Sequence, residues 1–352
     1  MSGVATIELK PGYTISRVIR GGWQLAGGHG PIDRANAVSD LVAAFDAGIS
    51  TFDCADIYTG VEELYGEFRA RLRNQRGEGA AARVKVHTKL VPDLAILPRI
   101  ARADVERIVD TSLRRLRMSA LDLVQFHWWD YDEPRWLDVF GWLDQLRLKG
   151  KIRNIGGTNF DAAHVAAILK AGIPLLSLQV QYSLLDHRPA TGLADLCQGH
   201  GVALLCYGSV AGGFLSDRWL GAPEPTGALE NRSLVKYKLI VDDFGGWRLF
   251  QELLATLRRI ADRRACDIAT IASRYVLERP EVAAVIVGAR TRAHLAGNVA
   301  ISSVTLDAAD HAAIAAVVER RTGPGGEVYA LERDRASRHG SIMKYNLNAK
   351  AS

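Results

Sequence analysis

Residues 48–66 read GISTFDCADIYTGVEELYG. The segment opens on Gly48, and glycine takes the left-handed conformation that ends a helix at low cost. Ser50–Asp53 is then a short run with β-branched and aromatic members, suited to a buried strand. Beyond a brief loop, helical spacing resumes over 62–74. Helix end, strand, loop and helix make one unit of a β/α alternation.

The same unit recurs in both directions. Strands are expected at Arg17–Ile19 leading into Gly21–Leu25, and at Ser50–Asp53, Val84–Thr88, Leu121–His127, Ile152–Gly157, Leu176–Val180, Val202–Cys206 and Ala284–Val287. Helices are expected near 35–48, 62–74, 101–117, 135–149, 161–171, 190–200, 248–278 (broken near 262–267) and 291–299. In the third of these, Val105, Ile108, Val109, Leu113 and Leu116 repeat with helical spacing. Short apolar strands alternating with helices imply a parallel sheet buried on both faces. Eight of them predict an α/β fold, a (β/α)8 barrel forming one domain over 1–320. Two stretches fall outside the rhythm: a long connection, Ser216–Trp247, and a polar tail over 321–352 that is a candidate lid.

Composition narrows the function classes. Of 352 residues, 48% are hydrophobic and 24% charged, enough apolar material for a large core. The net charge is +5, but Lys and Arg are scattered, without the dense basic block of a nucleic-acid binder. Cys54, Cys197, Cys206 and Cys266 lie far apart with no metal-ligand spacing, so no metal is expected and reduced thiols fit a cytoplasmic location. The N-terminal stretch has no apolar signal region, and no apolar run could span a bilayer, so no membrane role is expected.

In such barrels catalytic groups sit where the strands end and the following loops begin. Asp53 ends the second strand, with Tyr58 shortly beyond it; Lys89 follows the third; His127 ends the fourth. A lysine at the mouth loses hydration, and Asp53 would keep it cationic. That cation would lower the phenol of Tyr58 from its free value of ~10 toward a usable general acid. His127 would orient and polarise the substrate oxygen. None of these groups is a strong nucleophile, so the set suits proton transfer to an oxygen, with hydride supplied by a cofactor.

GISTFDCADIYTGVEELYG, VKVHTKL, LDLVQFHWW, IRNIGGTNF, LQVQYSLLD, LLCYGSVAGGFLS and VIVGARTRAHLAGN together resemble the aldo-keto reductase superfamily over nearly the whole chain. The resemblance implies catalytic roles for Asp53, Tyr58, Lys89 and His127, with Cys54 where a Thr is usual. It implies that Thr158, Asn159 and Gln179 hold a nicotinamide amide, that Tyr207 stacks on its ring, and that Gly22 and Trp23 line cofactor and pocket. Arg218 stands near the implied pyrophosphate position. In the last motif Asn298 is retained, while His294 replaces a common Gln and Gly297 a common Glu. Arg290 and Arg292 would meet a 2′-phosphate, which favours NADPH, with NADH the alternative. No Gly-rich dinucleotide fingerprint is present. Lys236 and Lys238 lie in the long connection, which by analogy folds over the cofactor.

The implied activity is reduction of an aldehyde, ketone or sugar carbonyl, in a pocket walled by Trp23 and Trp128, with Trp129 and Trp219 as further candidates. Two other readings stand beside it. One is a regulatory or partner-binding relative that resembles the potassium-channel beta subunits and acts as a redox sensor. The other is a phosphate-binding isomerase, which would need a catalytic Glu on a late strand, where Gln179, Tyr207 and Gly288 stand instead.

Overall fold

A computed structural model describes residues 3–28 and 30–348; the last four residues of the predicted tail lie outside the described residues. The chain begins with an antiparallel hairpin, β1 (Thr6–Lys10) and β2 (Tyr13–Ser16). Eight strands then close into a parallel barrel. These are β3 (Val18–Gly21), β4 (Thr51–Asp53), β5 (Lys85–Leu90), β6 (Leu123–His127), β7 (Ile155–Thr158), β8 (Leu175–Gln181), β9 (Ala203–Tyr207) and β10 (Val282–Gly288). β10 pairs with β3 to complete the ring. The predicted barrel is therefore present, and each predicted strand contributes to it.

Around the ring lie α1 (Arg34–Asp46), α2 (Val61–Arg76), α3 (Glu78–Arg83), α4 (Arg102–Leu116), α5 (Trp136–Leu148), α6 (Ala162–Lys170) and α7 (Leu193–Gly199). They are followed by α8 (Arg232–Phe244), α9 (Gly246–Arg263), α10 (Ile268–Leu277), α11 (Leu295–Ala300), α12 (Ala308–Val318) and α13 (Ala330–Arg333). The expected break near 262–267 separates α9 from α10, and Asp267 caps the new helix by accepting from the Thr270 backbone N–H.

Period two explains what faces where. Phe52, Val86, Val124, Phe126, Val180, Cys206 and Val285 are buried between strands and helices in one continuous cluster. The alternate residues turn inward. At the lower end Ile19, Leu123, Leu205 and Ala284 meet Tyr13 and Ile15, so the hairpin plugs the barrel floor. His87 lies above this floor, its Nε2 3.1 Å from the Tyr13 hydroxyl, and toward the upper end the inward side chains are polar: Lys89, Gln125, Gln179 and Asp53 are all buried. An apolar floor beneath a polar mouth directs chemistry to one end.

The first strand is shorter than expected. It stops at Gly21, and Trp23–Leu25 is a 3-10 turn rather than its continuation. Gly22 donates its N–H to the Asp53 carbonyl at 2.7 Å, and a Cβ there would lie 2.8 Å from that oxygen. The bend therefore requires glycine and ties the first strand's end to the second's. The long connection is not a bare loop, because α8 occupies much of it, capped by Asn231. Its Leu234, Tyr237, Ile240, Val241 and Phe244 are buried against α9 and α10 in a second apolar cluster. α12 was also not expected, and its Ile314 and Val318 extend that cluster. Among the described residues no helix is long and apolar enough to cross a membrane.

Candidate active site

Strand register brings the candidates together. Asp53 lies level with His87 on β5, two residues below Lys89, and His127 lies level with Thr158 and then Gln179. Lys89 and Asp53, both nearly water-free, form a bidentate pair: Nζ lies 2.8 and 2.7 Å from the two carboxylate oxygens and donates to the Cys54 carbonyl at 2.9 Å. Asp53 also accepts from Gln125 at 3.1 Å and Gln179 at 2.7 Å. Burial disfavours the lysine's charge, but Asp53 outweighs it, and the net effect raises the Lys89 ammonium.

Tyr58 stands next to this pair, its ring centroid 5.1 Å from Lys89 Nζ. The expectation of a net lowering for its phenol is corrected. Burial pushes the Tyr58 hydroxyl up, and the Lys89 charge only partly offsets that. The phenol is thus kept protonated with a cation beside it, the state a proton donor needs before reaction. Trp23 packs on its other side at 5.1 Å between centroids, and its indole N–H donates to Ser233 Oγ at 3.2 Å.

His127 is clamped edge-on between Trp129, 4.3 Å away, and Tyr329, 5.3 Å away. Burial, then the charges of Arg333 and Lys236, drives the imidazole down to about 3, so it is neutral at physiological pH. Its Nδ1 lies 3.1 Å from the Thr158 carbonyl, which can only accept, so the proton sits on Nδ1. Nε2 is then a bare acceptor, buried without a partner in the protein. In this tautomer His127 cannot polarise a carbonyl as expected; it can accept from an alcohol hydroxyl.

These groups open into one cavity of about 760 Å³. Its wall runs from Tyr58, Lys89 and His127 past Thr158, Asn159, Gln179 and Tyr207 to Arg218, Arg290, His294, Gly297 and Asn298. Thr158 Oγ1 is buried without a hydrogen-bond partner, and Asn159 takes a left-handed backbone, φ 61°, with its Oδ1 accepting from the Tyr207 hydroxyl at 2.9 Å. The same cavity is thus lined by an unpartnered hydroxyl, a side-chain amide, a tyrosine ring and two arginines, Arg218 and Arg290.

Several expected placements are revised. Trp128 is fully buried, packs on Phe126 and donates to the Glu133 carbonyl at 3.0 Å, so it belongs to the outer core. Trp129, two residues beyond His127, lines the cavity instead. Trp219 packs tilted against Phe214 and edge-on against Trp247 and does not line the cavity. Gly22 packs under the wall while Gly21 lines it. The Gln179 amide nitrogen is committed to Asp53 and Gln125 rather than left for a ligand. Arg218 pairs with Glu230, and Arg292 with Asp40 at 2.8 Å. Arg290 donates to the Pro31 carbonyl at 2.9 Å and still reaches the cavity. Of the two lysines of the long connection, Lys236 lines the cavity, while Lys238 turns away to Glu224 and Asp242.

The tail crosses this mouth. Arg333 donates to the Asn159 carbonyl at 2.8 Å and the Trp128 carbonyl at 3.3 Å, and lies 4.0 Å above the Tyr131 ring. Glu332 is buried between Arg188 at 3.0 Å and Lys236 at 3.3 Å, and Arg188 is bidentate to Asp186. Burial alone would raise the Glu332 carboxyl; Lys236 and Arg188 reverse this and hold it at about 2. Farther along, Tyr345 packs on Trp129, and Asn348 bonds to Val91 and Asp93. Gln125, Arg232, Tyr329 and Arg333 were not singled out in the sequence; only Gln125 had a local signal there, the inward phase it shares with His127.

A model of the aldo/keto reductase family matches residues 17–319. The chain belongs to the aldo/keto reductase family. With that membership go the NAD(P)H-dependent oxidoreductases. This aldo/keto reductase is 26% identical over 319 residues to the NADH-specific methylglyoxal reductase of Escherichia coli, covering 84% of this chain and 93% of that one. It is 31% identical over 261 residues to flagellar radial spoke protein 5 of Chlamydomonas reinhardtii, covering 64% of this chain and 49% of that relative, about half its length. A solved glycerol dehydrogenase from Gluconobacter oxydans superposes with a TM-score of 0.75 at 24% identity, over 91% of this chain and 97% of that chain. An aldo/keto reductase from Klebsiella pneumoniae, solved with NADP and acetate, gives 0.68 at 21% identity over 92% and 98%. Both structures share the barrel fold.

Proposed function

We propose that this aldo/keto reductase reduces an aldehyde, ketone or sugar carbonyl to the alcohol with a nicotinamide cofactor, NADPH in preference to NADH. The observation that carries the reading is the convergence of Tyr58, Lys89, Asp53 and His127 on one end of a cavity whose other end is lined by Arg290 and Asn298. Thr158 and Asn159 would hold the nicotinamide amide, Tyr207 would flank the ring, and Arg290 would meet a 2′-phosphate. The bound cofactor supplies hydride to the carbonyl carbon.

The remaining chemistry belongs to the protein. Tyr58 donates its proton to the carbonyl oxygen, and Lys89 stabilises the phenolate left behind. Asp53, locked by Gln125 and Gln179, keeps Lys89 cationic and aimed. The bare Nε2 of His127 accepts a hydrogen bond from the hydroxyl of the newly formed alcohol, which keeps its proton, steadying the product and, in the reverse direction, selecting an alcohol. Trp129, Tyr329 and the tail exclude water from the reacting oxygen.

The test is turnover of a panel of aldehydes, ketones and sugars, followed at the reduced cofactor's absorbance band, with NADPH and NADH compared. Tyr58→Phe is expected to lower kcat about 10²–10⁴-fold while tryptophan quenching by NADPH is retained. Parallel loss of turnover and cofactor binding would instead make Tyr58 a packing residue.

A further inference from the structure

α8 presents Arg232 and Lys236, one helical turn apart, to the cavity. The two cations are in different positions electrically. Lys236 has Glu332 at 3.3 Å. The Arg232 guanidinium instead lies 5.9 Å from the Trp23 ring centroid, and the Tyr329 phenol is the one titratable neighbour acting on it among the described residues. It is half-buried, and withdrawal from water disfavours its charge. A guanidinium drawn into a cavity wall without a counter-anion carries a desolvation cost that an incoming anion relieves.

Its location indicates which molecule would bring that anion. Trp23 neighbours both Arg232 and Tyr58, its ring centroid 5.1 Å from that of the phenol. Tyr329, Arg232's other neighbour, packs on His127 at 5.3 Å. Arg232 is thus one aromatic ring from each of the two residues that face the reacting oxygen. The cations toward the cofactor's far end, Arg218 and Arg290, are anchored separately by Glu230 and the Pro31 carbonyl.

We propose that Arg232 determines substrate specificity by binding an anionic oxygen group, a carboxylate or phosphate, carried by the carbonyl substrate beside Trp23. This rests on the reductase reading and narrows its substrate class. A planar guanidinium offers two parallel N–H donors to such a group, while Trp23 neighbours both it and Tyr58, where the carbonyl is held.

The experiment compares matched pairs: succinic semialdehyde against butanal, and glyceraldehyde 3-phosphate against glyceraldehyde. Wild-type kcat/KM is expected to favour the anionic member of at least one pair about tenfold or more, as a charge-assisted bidentate contact would give. The pair that shows the preference identifies carboxylate or phosphate. Arg232→Gln should bring that ratio near one through the KM of the anionic member, Arg232→Lys should restore part of it, and the Kd for NADPH should stay at the wild-type value. A wild-type ratio near one, or a ratio unmoved in Arg232→Gln, would overturn the proposal. So would a parallel weakening of NADPH, which would assign the guanidinium to the cofactor's phosphates. If neither member of either pair is reduced, the wider carbonyl panel decides the reductase reading separately. Succinate and inorganic phosphate titrated into the NADPH complex then decide the anion site: binding seen in wild type and lost in Arg232→Gln upholds it, and any other pattern removes it.

Discussion

At the scale of single residues, the Asp53–Lys89 pair is the point of greatest electrostatic consequence. Each partner is nearly water-free, and each satisfies the other. Lys89→Met leaves the carboxylate with only the two glutamine donors, and removal of one partner from a buried pair costs about 3–5 kcal/mol. A clear fall in the unfolding midpoint is expected alongside lost turnover; a midpoint within a degree of wild type would mean the pair is not buried as described. His127 gives a second test. Because its protonation is displaced from the usual range to about 3, kcat/KM should show no histidine step near pH 6.5. The sign follows from linkage: the unfolded chain takes up this proton first, so the group's contribution to stability is full above about pH 6.5 and is lost progressively as pH falls toward 3. Much of this site was legible. The four polar residues fall at the ends of three consecutive strands, where barrel geometry alone gathers them. The choice of tryptophan was misjudged: Trp128 was expected at the pocket, whereas the chain beyond His127 turns Trp128 into the outer core and brings Trp129 to the cavity. What could not be read was the sign of the Tyr58 shift, which depends on how much water the surrounding rings and tail remove.

Among elements, α8 is the one whose helical stripe its surrounding composition conceals most. Its apolar residues Leu234, Tyr237, Ile240, Val241 and Phe244 follow helical spacing, and Asn231 supplies the cap by accepting from the Leu234 N–H at 3.0 Å. The lysines, glycines and proline around it read as a loop because the surrounding composition masks a stripe of five positions. Asn231→Ala should lower stability by about 1 kcal/mol, as for other lost caps. The same change should disturb the mouth more than the barrel, visible as faster amide exchange in α8 than in β5 or β6. Uniform acceleration would mean the helix opens only with the whole fold. The floor hairpin is hidden in the sequence for another reason: β1 alternates exposed and half-buried residues and β2 is only four residues long, so neither shows the apolar run of the barrel strands. The eight barrel strands were recoverable because each is buried on both faces.

For the molecule as a whole, the tail is part of the structure rather than an appendage. Its Glu332 closes a charge network with Arg188, Asp186 and Lys236 that links the loop after β8, helix α8 and the chain's last segment. Such pairing across distant segments leaves no periodic trace in a sequence, which is why 321–352 read only as polar and glycine-rich. Glu332→Gln removes the anion between Arg188 and Lys236, and tail cleavage by a nonspecific protease should then outpace that of wild type while barrel cleavage does not. Unchanged cleavage would show that Tyr329 and Arg333 suffice. In acid the effect is graded: the Glu332 contribution is present above about pH 4.5, the ordinary carboxylate range, and is lost as pH falls toward its folded value of about 2.

Arg333 fastens this roof to the carbonyl of Asn159, the same residue whose side chain is proposed above to hold the cofactor's amide. Exchange of spent for fresh dinucleotide would have to wait for that strap to be unhooked. The catalytic cycle would then be clocked by unfastening and not by hydride movement. Carbonyls of quite different intrinsic reactivity should accordingly plateau at one common maximal velocity, and shortening the strap should raise that ceiling even as binding grows looser.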